Sequence, residues 1–543
     1  MLVSSRHRRH LAAAANMFST FDLLQSVPPS SVAVAASVGL LTLFVGVFLH
    51  RQIRTTNIGG SIPQARDGSP FIGHALAYKK NPAAFLIRQA QTVGSVFRIN
   101  LAGRRMVVLT CGGASESEMQ QVKTAMTLPE SQLSARDAVA DIGFEYTLGR
   151  ANVYEGTDFH KRLIKKYLNK ADTTVPLLFS ALQDAYRLEV DEHVGKDGVN
   201  RLLVHDFLGL VRRCTIRAVV SVFLGSSMLR SSQDDFLDNF MLLQDAIEEA
   251  TAAAAVLPKF LSLPLILRPV ERSRIKLQKD IARRISLAWS KPEKDQGPWL
   301  KEFRSQGISV DKAAEFVVGL LFAAHKNPAI GSAQAYLYVM LKGTDQERLA
   351  VKKEAAAFIS KPTNMALDGM CHLRRCCLET LRLTAHALGA VRTAREEVSL
   401  CKCPMKVGPK NKCDESAGSE REIRICPGEV IAVSHIAPSL NTTLWGDNAS
   451  NYDPNRKEWT DQDVYPSEYK FSAFSQGLHR CPGQKAALNI MQINLAILSD
   501  LYSIEFVGEV PDISFERATL AQRDGNVCVR IAPTSTNTNV HVT

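Results

Sequence analysis

With 543 residues and 11 irregularly spaced cysteines, the chain is too long and too poor in cysteine to be a small disulfide-stabilised scaffold. Its formal net charge of +11 at pH 7 has the sign found in nucleic-acid-binding proteins, but no nucleic-acid-binding module is recognisable, so no nucleic acid partner is expected. A partner with an acidic docking face explains the charge better. Internal repeats and long low-complexity tracts are absent from the sequence, which favours one large domain.

The N-terminal part of the chain carries a candidate membrane anchor. Residues 31–50 contain no Asp, Glu, Lys or Arg and are long enough, at about 20 residues, to span a bilayer. Arg51 and Arg54 follow directly, which favours a cytosolic location for the C-terminal side. A cleaved signal peptide is the alternative, but no clear small-residue cleavage site follows the apolar run. The sequence therefore predicts a single-pass signal anchor at 31–50 and a hinge at 51–63.

The first 30 residues form an N-terminal extension whose role has two interpretations. Three arginines among the first ten residues, together with several serines, resemble part of an organelle transit sequence. In the second interpretation, the residues before Met17 are only an upstream extension, and the anchor region properly begins at Met17. The endoplasmic reticulum membrane is the preferred location, with a cytosolic domain, and a plastid or mitochondrion is the alternative.

Residues 64–533 are predicted to form one mainly α-helical domain with small β-sheets, an α+β fold. The segments 96–100 and 106–110 alternate between apolar and polar residues around a turn and predict a β-hairpin. Most of the remaining sequence reads as helix, for example 204–224. Residues 534–543 are expected to form a disordered tail.

A short predicted helix at 159–168 concentrates positive charge. Lys161, Arg162, Lys165 and Lys166 lie within two turns of one another. A cluster of this kind can meet an acidic partner or an anionic group of a bound molecule.

A long apolar helix is predicted to run up to Pro328. Ala323 and Ala324 leave space beside the helix, and the polar pair Lys326 and Asn327 follows. An interior proline removes a helical hydrogen bond and displaces a carbonyl group, which predicts a kink. The freed carbonyl can hold a water molecule within a relay through Asn327, or Asn327 can simply cap the kink.

Glu379 and Arg382 are three residues apart, which places both charges on one face of a predicted helix. The pair is flanked by cysteine and leucine residues, so the helix is expected to be buried. A buried ion pair needs further partners to offset its desolvation.

Four cysteines, Cys401, Cys403, Cys413 and Cys426, fall in a polar segment downstream of this helix. They lack the paired two-residue spacings of common zinc sites. A solvent-exposed insertion with reduced thiols is the preferred interpretation, and zinc binding is the alternative.

Residues 474–483 carry the strongest chemical signal in the chain. Pro482 lacks a backbone N–H and has a preset φ, so it suits the start of a helix. Cys481 then lies just before a helix N-terminus, where the dipole favours an anionic sulfur. Gly477 permits a tight bend, and Gly483 permits close approach of the backbone to a bound group. A thiolate metal ligand is the preferred interpretation, and a structural cysteine before a helix is the alternative.

This run resembles the haem-binding signature of the cytochrome P450 family, in which Phe, Gly, a basic residue, Cys and Gly recur at these spacings. The resemblance extends over roughly residues 60–533, because the Glu379–Arg382 pair, a loop at 452–456 and the apolar helix occur in the family's order. It implies the cytochrome P450 fold. A second, looser similarity joins the Asn327–Pro328 region to the branch of sterol 7α- and 12α-hydroxylases and prostacyclin synthase. Residues 319–323 and His479 are instead similar to sterol 14α-demethylases.

The resemblance implies haem b (iron protoporphyrin IX) as cofactor, with Cys481 as the axial ligand of the iron. Further roles implied by the family are cofactor contacts from Phe474, Gly477, His479, Gly483 and Lys161 or Arg162, oxygen-side catalytic positions at Ala323, Ala324 and Asn327, and a structural triad of Glu379, Arg382 and Arg456. One departure is evident, because Lys326 and Asn327 stand where the family usually has an acid and a threonine that deliver protons.

The expected activity is that of a haem-thiolate monooxygenase that hydroxylates a small apolar, lipid-like substrate such as a sterol or oxylipin. Its expected partners are O2, membrane lipid and NADPH–cytochrome P450 reductase or another electron donor. Candidate substrate-lining residues are Phe144, Tyr146, Leu148, Phe322 and Ala323. The alternatives are a reductase-independent lipid peroxide isomerase or dehydratase of the same fold, motivated by the altered Lys326–Asn327 pair, and a non-catalytic haem-binding sensor or carrier.

Overall fold

The computed structural model describes residues 62–69, 72–111, 115–194, 200–229, 235–257, 259–400, 423–461, 469–516 and 520–534. These residues belong to one compact unit that spans 60–543. The predicted extension at 1–30, the anchor at 31–50, nearly all of the hinge, Cys401, Cys403, Cys413 and residues 535–543 of the tail lie outside the described residues. Within the described ranges, no helix combines the length and the apolar character needed to cross a membrane.

Helices account for most of the described chain. The α-helices are α1 Ala75–Lys80, α2 Pro82–Thr92, α3 Glu116–Thr127, α4 Ala135–Asp141, α5 Phe144–Thr147, α6 Gly156–Leu163, α7 Ala171–Tyr186, α8 Phe207–Phe223, α9 Phe236–Val256, α10 Lys259–Ser262, α11 Arg268–Trp289, α12 Pro298–Ser305, α13 Val310–Ala324, α14 Lys326–Lys342, α15 Asp345–Ser360, α16 Asn364–Gly369, α17 Cys371–Leu383, α18 Ile436–Ser439, α19 Thr442–Trp445, α20 Lys457–Thr460 and α21 Gln484–Asp500. Wider π-helical turns extend several of them, and one, Ile164–Leu168, follows α6 directly.

The strands form small sheets. They are β1 Val96–Leu101, β2 Arg104–Leu109, β3 Leu133–Ser134, β4 Leu202–Val204, β5 Gly389–Ala394, β6 Val398–Leu400, β7 Ile423–Ile425, β8 Val430–Val433, β9 Tyr502–Phe506, β10 Ile513–Ser514, β11 Gln522–Arg523 and β12 Val529–Pro533. The largest sheet has the order β1-β2-β8-β5-β3, in which only β2 and β8 run parallel. A three-stranded sheet has the order β4-β12-β9. The mainly α-helical fold with small sheets is as predicted.

The predicted hairpin is present as β1 and β2. Val96 pairs with Leu109 and Leu101 pairs with Arg104, so the two strands are joined by a two-residue turn. Ala102 and Gly103 both have positive φ in this turn, 50° and 94°, as a tight hairpin turn requires.

The predicted boundary at residue 204 is wrong. Leu202–Val204 form strand β4, because their backbone groups pair with β12, and helix α8 begins only at Phe207. Asp206 caps that helix, since its side chain accepts a hydrogen bond of 2.9 Å from the backbone N–H of Gly209. The local sequence is compatible with helix, and pairing with a strand more than 300 residues away overrides it.

The centre of the domain is built by α14, which packs against α8, α17 and α21. Helices α14 and α21 are both buried over most of their length. They approach closely at Gly331, where an added Cβ would lie 2.8 Å from the terminal methyl of Met491. This packing sets the spacing between the helix that begins at Lys326 and the helix that follows Cys481.

The structure brings Glu379, Arg382 and Arg456 together in the interior. Arg382 binds the Glu379 carboxylate with two hydrogen bonds of 2.8 and 2.7 Å, and Arg456 donates a third of 3.0 Å. Trp459 donates its indole N–H to the same carboxylate at 2.9 Å, and the backbone N–H of Asp453 does so at 3.0 Å. Glu379 and Arg382 are fully buried.

Both guanidinium groups also bind backbone carbonyls. Arg382 donates to the carbonyl oxygens of Ser439, Ala449 and Asn451, and Arg456 donates to those of Trp445, Asn448 and Asn451. The two arginines therefore fasten the segment between β8 and α20 to α17. These additional donors supply the compensation that a buried ion pair needs.

We expect Arg456→Met to lower the free energy of unfolding by about 3–5 kcal/mol, because it leaves part of the buried Glu379 charge and several carbonyls without a donor. Urea denaturation followed by circular dichroism measures the change. The matched control is Arg395→Met, which removes an exposed ion pair with Asp137 and should change stability by about 1 kcal/mol or less. Equal stability of the two variants would contradict a structural role for the buried network.

Candidate active site

The loop before α21 folds back on itself around Cys481. The backbone N–H of Cys481 donates to the carbonyl of Phe474 at 2.8 Å. Ser475 and Gly477 both have positive φ, 56° and 62°. An added Cβ at Gly477 would overlap the carbonyl group of Met126 in α3, so only glycine fits both the conformation and the approach.

Helix α21 begins at Gln484, two residues later than the position of Pro482 suggests, with Gly483 as the preceding cap residue. Residues 481–484 form a turn, in which Gln484 N lies 3.4 Å from the Cys481 carbonyl. Cys481 therefore remains just ahead of the helix N-terminus. A Cβ added at Gly483 would lie 3.9 Å from the Cys481 sulfur.

Cys481 is an exposed free thiol. Desolvation by the surrounding protein raises its pKa, and a hydrogen bond from the backbone of Gly483 lowers it only in part. Burial therefore opposes ionisation of the Cys481 thiol. A metal cation bound to this sulfur would favour the thiolate, since a coordinating thiol is deprotonated. An accessible cysteine sulfur outside any disulfide is a soft ligand, of the kind that binds haem iron.

The positive charges of Arg392 and Lys161 act on His479, which lies two residues before Cys481. Burial lowers the pKa of His479, Arg392 of β5 and Lys161 of α6 lower it further, and Glu130 partly opposes them. His479 Nε2 lies 2.9 Å from Glu130 Oε1. The charges of Arg392, Lys161 and Glu130 therefore all act on a histidine in the loop that carries Cys481.

Arg392 is a candidate site residue that the sequence interpretation did not single out. It is 4% exposed, and one guanidinium nitrogen, Nη1, donates to the Val391 carbonyl at 2.8 Å. The other, Nη2, is buried and has no hydrogen-bond partner among the described residues. Burial lowers the pKa of Arg392 and Glu130 raises it. An orphaned buried donor of this kind fits an anionic group, such as a propionate of haem.

The basic helix predicted at 159–168 is α6 with its following π-helical turn. Asn169, just beyond this turn, donates to the carbonyl of Pro482 at 3.1 Å, so the segment packs against the Cys481 loop. Arg162 stacks on the ring of Phe159, with 5.8 Å between its guanidinium carbon and the ring centroid. Of the two cations predicted to reach the cofactor, Lys161 is the one whose charge acts on His479.

The long apolar helix is broken ahead of Pro328. Helix α13 ends at Ala324, α14 begins at Lys326, and His325 stands between them. Ala323 is exposed, which leaves room beside the break. Asn327 has a buried side-chain oxygen without a hydrogen-bond partner in the described part of the chain.

Lys326 does not take the role of the acid that it replaces in sequence. Its ammonium group is turned towards α9, where it lies 2.8 Å from Asp245 Oδ1 and 2.5 Å from Glu248 Oε2. Lys326 is only 2% exposed. The ion pair explains why a lysine is tolerated inside this helix.

The predicted lining residues are only partly brought together. The rings of Phe144 and Phe322 contact each other edge to face, with centroids 6.0 Å apart. Tyr146 instead packs against a separate small cluster that contains Ala250, Ala254 and Leu267.

Comparison with known proteins agrees with this geometry. A family model described as Cytochrome P450 matches residues 412–529. The lanosterol 14-alpha demethylase of Mus musculus is 23% identical over 89% of this chain and 90% of its own length. The cytochrome P450 monooxygenase pynD of Aspergillus niger is 21% identical over 88% and 93%, and the sterol 14-demethylase of Arabidopsis thaliana is 22% identical over 86% and 90%.

The matched family uses haem iron as its cofactor, and its monooxygenases need an electron donor. The matched region contains Cys481 and the loop that presents it, while the relatives extend the similarity over most of the chain. Along most of its length the chain is therefore similar to cytochrome P450 proteins, among them a monooxygenase and sterol demethylases.

Proposed function

We propose that the protein hydroxylates an apolar, lipid-like substrate, with a sterol as the first choice and an oxylipin or other lipid as the next. The observation that carries the haem site is the exposed Cys481 thiol beside the basic group of Arg392, His479 and Lys161. Haem fits this arrangement, because its iron can bind the Cys481 sulfur and its anionic propionates can bind the basic side chains.

Cys481 would hold the iron, while Arg392, His479 and Lys161 would bind the propionates. Phe474, Gly477 and Gly483 would shape the loop that presents the sulfur. When bound, the haem supplies the reductive activation of O2 and the insertion of one oxygen atom into a C–H bond.

The broken helix formed by α13 and α14, with its break at His325, is called the distal helix below. The substrate class rests on apolar side chains near this break and on the relatives' names. Phe144 and Phe322 form an aromatic contact next to the exposed Ala323. Such a surface excludes water and orients an apolar molecule by shape, with few polar contacts. Lanosterol and sterol appear in the names of relatives that align along most of the chain, which supports a sterol.

The electron donor would be NADPH–cytochrome P450 reductase or an equivalent protein. Arg162 and Lys165 follow Lys161 in the segment that packs against the Cys481 loop through Asn169. Opposite charge on a partner would steer its approach to this side. An anchor at 31–50 would tether the enzyme to membrane lipid, in the endoplasmic reticulum or in a plastid or mitochondrion, and deliver apolar substrate.

The second candidate is a lipid peroxide isomerase or dehydratase that needs no outside electrons. It is favoured by the distal helix, where Lys326 is engaged by α9 and Asn327 stands in place of the usual alcohol. Neither residue offers the acid that ordinarily supplies protons during reductive oxygen activation.

Turnover stoichiometry separates these two functions. We expect the purified haem-loaded enzyme, with reductase and a sterol mixture, to consume NADPH and O2 and to release hydroxylated product. Product analysis by mass spectrometry with 18O2 measures the incorporation of one labelled atom. Turnover of a lipid hydroperoxide without NADPH, and none of a sterol with it, would contradict the monooxygenase.

Cys481→Ala tests the iron ligand. We expect the reduced protein under carbon monoxide to lose the long-wavelength absorption band of a thiolate-bound haem, since alanine offers no donor. Cys371→Ala is the matched control, because Cys371 is also an exposed free cysteine and lies in α17. A normal band in Cys481→Ala would exclude Cys481 as the ligand.

Arg392→Met tests the proposed propionate contact. Loss of a charge-assisted hydrogen bond of about 1.5–3 kcal/mol should raise the rate of haem loss roughly 10- to 100-fold. Transfer of haem to excess apomyoglobin, followed by absorbance, measures this rate. Arg395→Met, three residues further on and exposed, should lose haem like the unchanged protein, and equal rates in all three proteins would refute the contact.

A further inference from the structure

Two polar side chains bind backbone carbonyls at the break in the distal helix, one from α9 and one from the break itself. Gln244 of α9 donates its amide N–H to the carbonyl of Phe322 at 3.1 Å. His325 places Nδ1 2.6 Å from the carbonyl of Leu321. Burial lowers the pKa of His325 to about 3, so the ring is neutral and its single proton can serve this carbonyl. Carbonyls at the end of α13 thus have side-chain donors, as buried backbone groups require.

The charges around the break are balanced and come from three helices. Lys326 of α14 binds Asp245 and Glu248 of α9. Arg212 of α8 donates two hydrogen bonds of 2.9 Å to Asp245 and a third of 2.9 Å to the carbonyl of Met241. Two cations therefore face two carboxylates. A buried ammonium is tolerated only when it is paired in this way.

From this arrangement we infer that Lys326 is a positioning residue, which fixes the break in the distal helix by tying the first turn of α14 to Asp245 and Glu248 of α9. Ala323, Ala324 and Asn327 flank Lys326 along the chain, so their placement depends on this tie. The inference rests on the proposed function in one respect, namely that these three residues face the oxygen side of the haem.

The two carboxylates depend on Lys326 to different degrees. Burial opposes ionisation of Asp245, but Arg212 and Lys326 together lower its pKa. Burial raises the pKa of Glu248, and Lys326 opposes this only in part, while the charge of Asp245 adds to it. Without the ammonium, Asp245 keeps Arg212 as a partner, whereas Glu248 loses its close cation. Lys326 therefore joins α14 to α9 through two ion pairs that Arg212, which lies on α8, does not replace.

The test uses the full-length haem-loaded protein and two measurements. Hydrogen–deuterium exchange of peptides that cover 318–330 reports on the break, and the absorbance change on adding imidazole reports on access to the iron. In Lys326→Met we expect exchange at the break to rise about tenfold, because local opening no longer has to separate the ion pair. The dissociation constant for imidazole should rise about threefold or more, because displaced side chains enter the space beside Ala323.

Two variants serve as references. Lys326→Arg keeps the charge and should restore both measurements to nearly those of the unchanged protein. Lys312→Met removes an ion pair with Glu155 from the same distal helix, but at an exposed site, and should leave both unchanged. Wild-type exchange in Lys326→Met would overturn the inference. Raised exchange with an unchanged dissociation constant for imidazole would also overturn it, because Lys326 would then stabilise the helix without positioning residues beside the iron.

Glu248→Gln provides the test if Lys326→Met fails to fold or to load haem. It removes one carboxylate charge while preserving shape, and a smaller shift of both measurements in the same direction is expected. Unchanged values would overturn the inference. If the unchanged protein gives no imidazole spectrum, the haem assignment fails, whereas the exchange result still decides whether Lys326 fixes the break.

Discussion

The fully buried carboxylate of Glu379 is the constraint on which the rest of the domain depends. A charge removed from water must be surrounded by donors, and here they come from Arg382, Arg456 and Trp459. The ring of Trp459 in turn contacts Phe471 edge to face, with centroids 5.1 Å apart. The Phe471 carbonyl accepts a hydrogen bond from Gln476 in the loop before Cys481. These contacts thus connect the Glu379 carboxylate to the loop that presents Cys481, the proposed iron ligand.

A buried charge also organises the break in the distal helix, but here the central charge is positive. There a buried ammonium, Lys326, is surrounded by Asp245 and Glu248, and Arg212 completes the balance. In both places the charged groups link elements that are far apart in sequence. Because unpaired buried charges are strongly unfavourable, such clusters specify one relative arrangement of the helices that carry them.

The surroundings of Cys481 differ from the Glu379 network, whose side chains all have hydrogen-bond partners among the described residues. Arg392 retains a buried donor without a partner in the described residues, and the Cys481 thiol has a raised pKa. A closed protein network satisfies its own polar groups, whereas a cofactor site keeps some of them for the molecule that it binds. This contrast is consistent with the proposal that Arg392 and Cys481 bind haem, whereas the Glu379 network holds the fold.

The amino-acid sequence by itself determined the elements whose signals are local. The β1–β2 hairpin follows from alternation and a tight turn, and the bend at Gly477 follows from a residue type. The helix after Cys481 is indicated by Pro482, and the kink follows from Pro328, because a proline acts on its own helix. The family resemblance drawn from these motifs agrees with the matched family model and the relatives.

Only the tertiary structure decided which distant side chains meet. The direction of Lys326 depends on carboxylates about 80 residues earlier in the chain. The role of Arg392 depends on a sheet that brings β5 near Glu130 and His479, and the strand at Leu202–Val204 depends on pairing with β12. No periodicity or spacing carries this information, because burial and charge pairing arise only when separate segments pack together.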